Sequence, residues 1–129
     1  MSERRRYRRQ PGQPVVAVQL KLDIDGFAYR KWGGEQRCKA MDWIVDNDGE
    51  VYSVDANSFA RTYTAQGLGT YVKTGKVWAE QAAQAGRVAT KEGSTGYEAG
   101  DWLVSNEEDG SDAYAVDAAT FEKQYELDE

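Results

Sequence analysis

No histidine occurs anywhere in the chain of 129 residues. Without an imidazole, Ser-His and Cys-His nucleophile pairs are excluded, and so are zinc sites built from His and Cys. Cys38 is the only cysteine, which excludes an intrachain disulfide. Long apolar runs are missing as well. None approaches the roughly 20 residues that cross a bilayer, and the Arg-rich N-terminus lacks the apolar stretch of a secretory signal. A cytoplasmic setting with no membrane partner is the expectation. Proline is limited to Pro11 and Pro14, which flank Gly12 in a segment that cannot be helical.

What is present belongs to an ordered globular chain: 40% apolar, 29% charged and 12% aromatic residues. The net charge of −6 hides a split, because Arg4, Arg5, Arg6, Arg8 and Arg9 against Glu3 leave residues 1–9 at +4 and the remainder at −10. An acidic body does not attract nucleic acid, whereas a short basic arm does.

The chain also writes one stretch twice. Met41-Asp42-Trp43-Ile44-Val45 returns as Gly100-Asp101-Trp102-Leu103-Val104. Each copy leads through an acidic Gly-containing turn to Val51-Tyr52-Ser53-Val54-Asp55 or Ala113-Tyr114-Ala115-Val116-Asp117, then to Phe59 and Tyr63 or Phe121 and Tyr125. The spacing from Tyr52 to Tyr63 equals that from Tyr114 to Tyr125. The correspondence reaches back to Tyr7 and Tyr71, each ahead of a basic turn, and to Val16-Ala17-Val18-Gln19 against Trp78-Ala79-Glu80-Gln81. The organisation expected is a basic arm at 1–6, a first repeat at 7–66, a linker at 67–70 and a second repeat at 71–129. A half of about 60 residues buries only about 60% of its unfolded surface and is marginal alone. One compact unit with a shared core is therefore expected.

Locally, Val15 to Leu22 and Phe27 to Trp32 read as strands, with Gly33-Gly34 as a break. Asp42 to Val45 and Glu50 to Val54 read as a hairpin through Asp46-Asn47-Asp48-Gly49. Asp55 reads as the N-cap of a short helix over about 56–63, with Val54 and Phe59 at the spacing of a hydrophobic staple. Val116, Asp117 and Phe121 repeat that device. Ala79 to Ala85 is rich in helix formers although its counterpart is strand-like; a strand running into a loose helical connection is the reading adopted. The fold class expected is α+β, mainly antiparallel β, with two similar β-rich repeats that each end in a short helix and pack with pseudo-two-fold symmetry.

Glu98-Ala99-Gly100-Asp101-Trp102-Leu103-Val104, with the turn at Gly110, Ala113-Tyr114-Ala115-Val116, Phe121 and Tyr125, resembles the PGDYG family. The chain is also similar to small bacteriophage and actinobacterial proteins that open with Tyr-Arg-Lys-Lys-Pro, here Tyr7-Arg8-Arg9-Gln10-Pro11. The likeness spans nearly the whole chain, as a tandem duplication. Met41 stands where the family has Gly, and Ala99 replaces the Pro of the name-giving motif. That family carries no assigned activity, so the resemblance implies a fold and a bacterial or phage origin rather than a mechanism.

Several residues are candidates for function. Asp42 and Asp101 each precede a Trp-led strand: as paired carboxylates they would serve acid–base chemistry or hold a cation, and as local acceptors they would pin backbone N–H groups. The second reading fits better, because catalytic pairs sit in unlike environments and a repeat supplies like ones. Asp46, Asp48 and Glu50 do not match a calcium loop, since Gly49 falls at the fourth position rather than the sixth. No metal site and no cofactor is expected. Trp43, Trp102, Tyr52, Tyr114, Phe59, Phe121, Tyr63 and Tyr125 either line a ligand cleft or, as their repetition favours, form the core. Trp32 and Trp78 lack that support and are read with Asp42 and Asp101 as a surface for a ligand or partner. Cys38, between Arg37 and Lys39, is either a thiol of lowered pKa or, as is favoured, an incidental cysteine. Arg4, Arg5, Arg6, Arg8 and Arg9 interleaved with Tyr7 suit phosphate contacts and base stacking, against a plain solubilising tail. The leading expectation is a non-catalytic binding module for an unknown protein or small ligand. Nucleic-acid binding through the basic arm, and a carboxylate enzyme using Asp42 or Asp101, are the alternatives.

Overall fold

The computed structural model describes residues 3–128. Residues 1 and 2 of the expected arm, and Glu129 at the end of the second repeat, lie outside the described residues. The fold is mostly antiparallel β with two short helices. Its elements run β1 (Arg5–Arg9), β2 (Val15–Gln19), β3 (Phe27–Lys31), β4 (Gly34–Cys38), β5 (Trp43–Asn47), β6 (Glu50–Val54), α1 (Ala56–Thr62) and β7 (Tyr63–Gly67). They continue with β8 (Thr70–Lys73), β9 (Val77–Gln81), β10 (Gly86–Ala89), β11 (Ser94–Tyr97), β12 (Trp102–Ser105), β13 (Tyr114–Val116), α2 (Ala118–Gln124) and β14 (Tyr125–Leu127).

The local chemistry accounts for most of these boundaries. Asp48 and Gly49 have φ of 55° and 93°, and Asn47 faces Glu50 across them. That is the two-residue hairpin turn in which both residues are left-handed. Trp32 and Gly33, with φ of 57° and 74° between the facing residues Lys31 and Gly34, do the same. The Gly33-Gly34 break is therefore a turn, and the chain returns as β4, a strand the sequence reading did not contain. Asp55 caps α1 by accepting hydrogen bonds from Asn57 N at 3.1 Å and Ser58 N at 3.2 Å. Asp117 caps α2 from Thr120 N at 3.2 Å. Val54 joins the cluster that holds Phe59, and Val116 the one that holds Phe121, so each staple closes. The helix formers of residues 79–81 lie in β9, held by pairing to β1 and β12 on either side.

Two five-stranded sheets carry the fold, in the orders β6-β5-β2-β8-β7 and β13-β12-β9-β1-β14. Neither follows the chain. β8 lies between β2 and β7, while β1, from the far end of the sequence, lies between β9 and β14. Arg5–Arg9 is thus an interior strand rather than an arm. Arg4 meets Glu80 at 3.2 Å, Arg6 meets Asp128 at 2.8 Å, and Arg8 meets Glu126 at 2.7 Å and Asp128 at 2.8 Å. Three of the five arginines that looked like a free basic surface thus neutralise acids of β9 and the C-terminal strand region.

The hydrophobic interior differs from the single core expected. One cluster holds Val15, Ala17, Val45 and Phe59, the other Val77, Ala79, Val104, Phe121 and Tyr125. Tyr71 of β8 packs on the first cluster, and Tyr7 of β1, from the far end of the sequence, packs on the second. The hairpins β3–β4 and β10–β11 meet edge to edge, with a bridge between Gln36 and Gly93. A Cβ on Gly93 would collide with the Glu35 carbonyl, and one on Gly34 with the Ser94 carbonyl, so glycine is what lets the two backbones approach.

Candidate functional site

The register of β8 and of β1 sets the site. In the first sheet Lys73, the last residue of β8, faces Tyr63, the first of β7. In the second, Arg9, the last residue of β1, faces Tyr125, the first of β14. Antiparallel partners on one sheet face lie close enough for their side chains to interact, so each sheet presents a cation beside a tyrosine. Tyr52 of β6 and Tyr114 of β13 stand near them. These six side chains line a cavity of about 550 Å³ to which both sheets contribute. Concave sites for small ligands span about 300–1,000 Å³ and combine apolar walls with a few placed polar groups.

Lys73 is well satisfied. Its Nζ donates to Tyr114 Oη at 2.8 Å and to Tyr125 Oη at 3.3 Å. It also lies 5.4 to 5.9 Å from the ring centres of Tyr63, Tyr114 and Tyr125, within the range of cation–π attraction. Burial works against its charge, yet Tyr125 and Tyr63 outweigh burial and the ammonium is held above its usual range. Arg9 is different. Its Cζ sits 5.5 Å from the Tyr125 ring centre, but Nε and Nη2 are shielded from solvent with no hydrogen-bond partner. Among the described residues, neither cation has a carboxylate within 4.0 Å.

The tyrosines titrate apart. Burial alone would raise Tyr125, but Lys73 and Arg9 more than reverse it and hold this phenol below its usual range. Burial pushes Tyr114 well up, with the neighbouring Tyr125 adding to it. Burial likewise raises Tyr63 and Tyr52.

At the mouth, the loop between β10 and β11 reaches onto α1. Glu92 Oε2 accepts from Asp55 N at 3.0 Å, and Lys91 Nζ donates to Ser58 Oγ at 3.0 Å. Burial pushes the Glu92 carboxyl up. Trp32 also borders the cavity. It is 40% exposed, and its Nε1 donates to Glu50 Oε1 at 3.1 Å.

The two sharpest carboxylates of the sequence have structural partners. Asp42 is buried and accepts from Lys39 N at 2.9 Å, Lys39 Nζ at 3.1 Å and Ala56 N at 3.2 Å. Asp101 accepts from Glu98 N at 2.9 Å and Ala118 N at 3.3 Å. Each therefore ties the turn before its strand to the first turn of a helix. Of the four surface candidates, the cavity brings together Trp32 and Asp101 and leaves out Asp42 and Trp78. Trp78 is half-buried on β9, on the face opposite Val77 and Ala79. Cys38 is fully buried; burial pushes its thiol up and Asp42 adds to that, the reverse of the lowered pKa that its basic neighbours suggested.

Lys73 was not singled out from the sequence. The signal available was the match of Tyr7 with Tyr71, which sets Arg9 and Lys73 in equivalent places two residues on. Tyr52, Tyr63, Tyr114 and Tyr125 were weighed as core or cleft, and they are both, since each packs on a cluster and lines the cavity. No described helix is long and apolar enough to cross a membrane. Comparison of the chain with protein-family models, with curated proteins and with solved structures finds no match.

Proposed function

We propose that this protein is a non-catalytic binding module made of two PGDYG-like repeats, related by pseudo-two-fold symmetry and joined by exchange of their first strands. Its ligand is a small molecule held in the cavity between the two sheets. The observation that carries this reading is the cavity of about 550 Å³ whose walls are contributed by both sheets at corresponding positions: Arg9, Tyr125 and Tyr114 from one, Lys73, Tyr63 and Tyr52 from the other. Such a site exists only when both repeats are present, which gives the duplication a purpose.

The other readings draw less support. Asp42 and Asp101 spend their oxygens on backbone N–H groups, which leaves little capacity for acid–base work. Arg4, Arg6 and Arg8 are engaged with Glu80, Glu126 and Asp128, so a nucleic acid would have to displace internal partners. The test is a screen of a broad small-molecule library by NMR, followed on the ring signals of Tyr52, Tyr63, Tyr114 and Tyr125. Hits should shift these four together. Hits that perturb only residues outside the cavity, or a library without hits, would overturn the reading.

A further inference from the structure

Resting on that binding reading, we infer that the cavity selects a small organic anion, whose carboxylate or phosphate meets Arg9 and Lys73 while a flat apolar body lies among the tyrosines. Three observations carry this. Arg9 Nε and Nη2 form one edge of the guanidinium, and both lack an acceptor. That edge is the fork that grips carboxylate or phosphate through two parallel hydrogen bonds. A buried polar group without a partner in a native fold calls for an unseen one, an ion or water among them.

Second, the two cations line the same cavity and share one ring. Arg9 Cζ and Lys73 Nζ lie 5.5 Å and 5.8 Å from the centre of the same Tyr125 ring. Lys73 has three ammonium protons and gives two of them to Tyr114 and Tyr125. One remains for a ligand.

Third, the acids that line the cavity, Asp112 apart, are already engaged elsewhere. Glu107 pairs with Arg61 at 2.8 Å, Glu50 with Lys31 at 3.3 Å and Asp48 with Lys123 at 3.8 Å. Glu92 and Asp101 accept backbone N–H groups, and Asp117 caps α2. Arg9 and Lys73 therefore keep no ion-pair partner within 4.0 Å among the described residues, and attraction between charges is least screened away from bulk water.

The experiment is calorimetric titration of the full chain with benzoate, phenyl phosphate and benzamide. The first two differ in the anionic group, and the third keeps the ring while removing the charge. Benzoate or phenyl phosphate should bind at least about tenfold more tightly than benzamide, and whichever is tighter identifies the anionic group. Arg9→Gln should abolish that preference, and Arg9→Lys, which keeps charge without the fork, should retain only part of it. Because the fork has no internal partner, both variants should melt close to the parent. Should either fail to fold, the comparison of benzoate with benzamide on the parent chain still decides. Equal binding of benzamide overturns the anion inference and leaves the binding module standing. Failure of all three probes to bind overturns the binding module itself.

Discussion

The two sheets share a set of aromatic contacts almost ring for ring. In the first, Trp43 stacks on Phe59 at 4.0 Å and Phe59 on Tyr63 at 4.4 Å, with Tyr71 edge-on to Trp43 and Phe59 at 5.1 Å from each. In the second, Trp102 stacks on Phe121 at 4.2 Å and Phe121 on Tyr125 at 5.0 Å, with Tyr7 edge-on to both. The sheets part company two residues beyond the edge-on tyrosine, where one carries Lys73 with its partners in place and the other Arg9 with an empty fork. Positions that folding needs are the same in both sheets. The position that differs faces the cavity.

The largest effect that sharpens this comparison comes from the middle of each stack. Phe59 and Phe121 are each 2% exposed. Phe59→Ala and Phe121→Ala should each destabilise by about 3–5 kcal/mol, as such truncations do in cores. The first sheet is built from one contiguous stretch, β2 to β8, whereas the second is completed by β1 from the far end of the chain. On chemical denaturation Phe121→Ala should therefore lose the second sheet ahead of the first, and a single transition would mean that the two sheets unfold only as one.

Next in size is the contrast between Asp42 and Asp101. Both brace a turn against a helix start, but Asp42 is 1% exposed and Asp101 only partly buried. Removing a buried acceptor leaves its donors unpaired, at about 1–3 kcal/mol. Asp42→Ala should therefore lie near the top of that range and Asp101→Ala near the bottom, read as midpoints in urea. Equal losses would show that burial does not distinguish them.

The caps follow. Asp55→Ala and Asp117→Ala should each cost about 1 kcal/mol, the former slightly more, because Asp55 holds two backbone N–H groups and Asp117 one. A thermal melt of each variant checks this, and unchanged melting would remove the staple-and-cap account of both helices.

The last contrast changes stability only as pH rises toward the phenol range. Tyr52, Tyr63 and Tyr114 have phenols raised by burial, and Tyr125 one lowered by Lys73 and Arg9. A phenol raised in the fold contributes stability below its unfolded value of about 10 that is lost as pH climbs through the folded value. Burial holds Tyr63 and Tyr114 up most strongly, and both lose that contribution as pH climbs past about 10. Stability should then fall above about pH 10, with Tyr125 ionising first of the four and Tyr63 held back until unfolding. Ultraviolet titration of the Tyr125→Phe variant against the parent reads this directly, and loss of the last phenolate rather than the first would contradict it.

Much of this was legible in the residues. Asp-Gly at 48–49 dictated its hairpin, and the pairs Asp55 with Phe59 and Asp117 with Phe121 dictated both helix starts, because caps and two-residue turns depend on neighbours in sequence. What was not legible depends on distant partners. Arg5–Arg9 reads as a solvated basic run, and only the acids of Glu80, Glu126 and Asp128 and the gap between β9 and β14 make it an interior strand. Thr70–Lys73 holds the strand formers Thr70, Tyr71 and Val72, but its place between β2 and β7 depends on partners remote in sequence. The cavity followed the same course: its tyrosines were visible as a repeat, but the two cations enter it only through the exchange.

The exchange is the central claim, and two fragments test it directly. Residues 14–75 span β2 to β8 and hold every strand of the first sheet, whereas residues 1–66 have the boundaries of a simple repeat and lack β8. Fragments of this length are marginal, so the comparison between them is what counts. By NMR dispersion and sedimentation, 14–75 should be the folded monomer, with 1–66 unfolded or dimerised through its unpaired β1. A folded monomeric 1–66 beside an unfolded 14–75 would contradict the strand exchange, and the shared cavity with it.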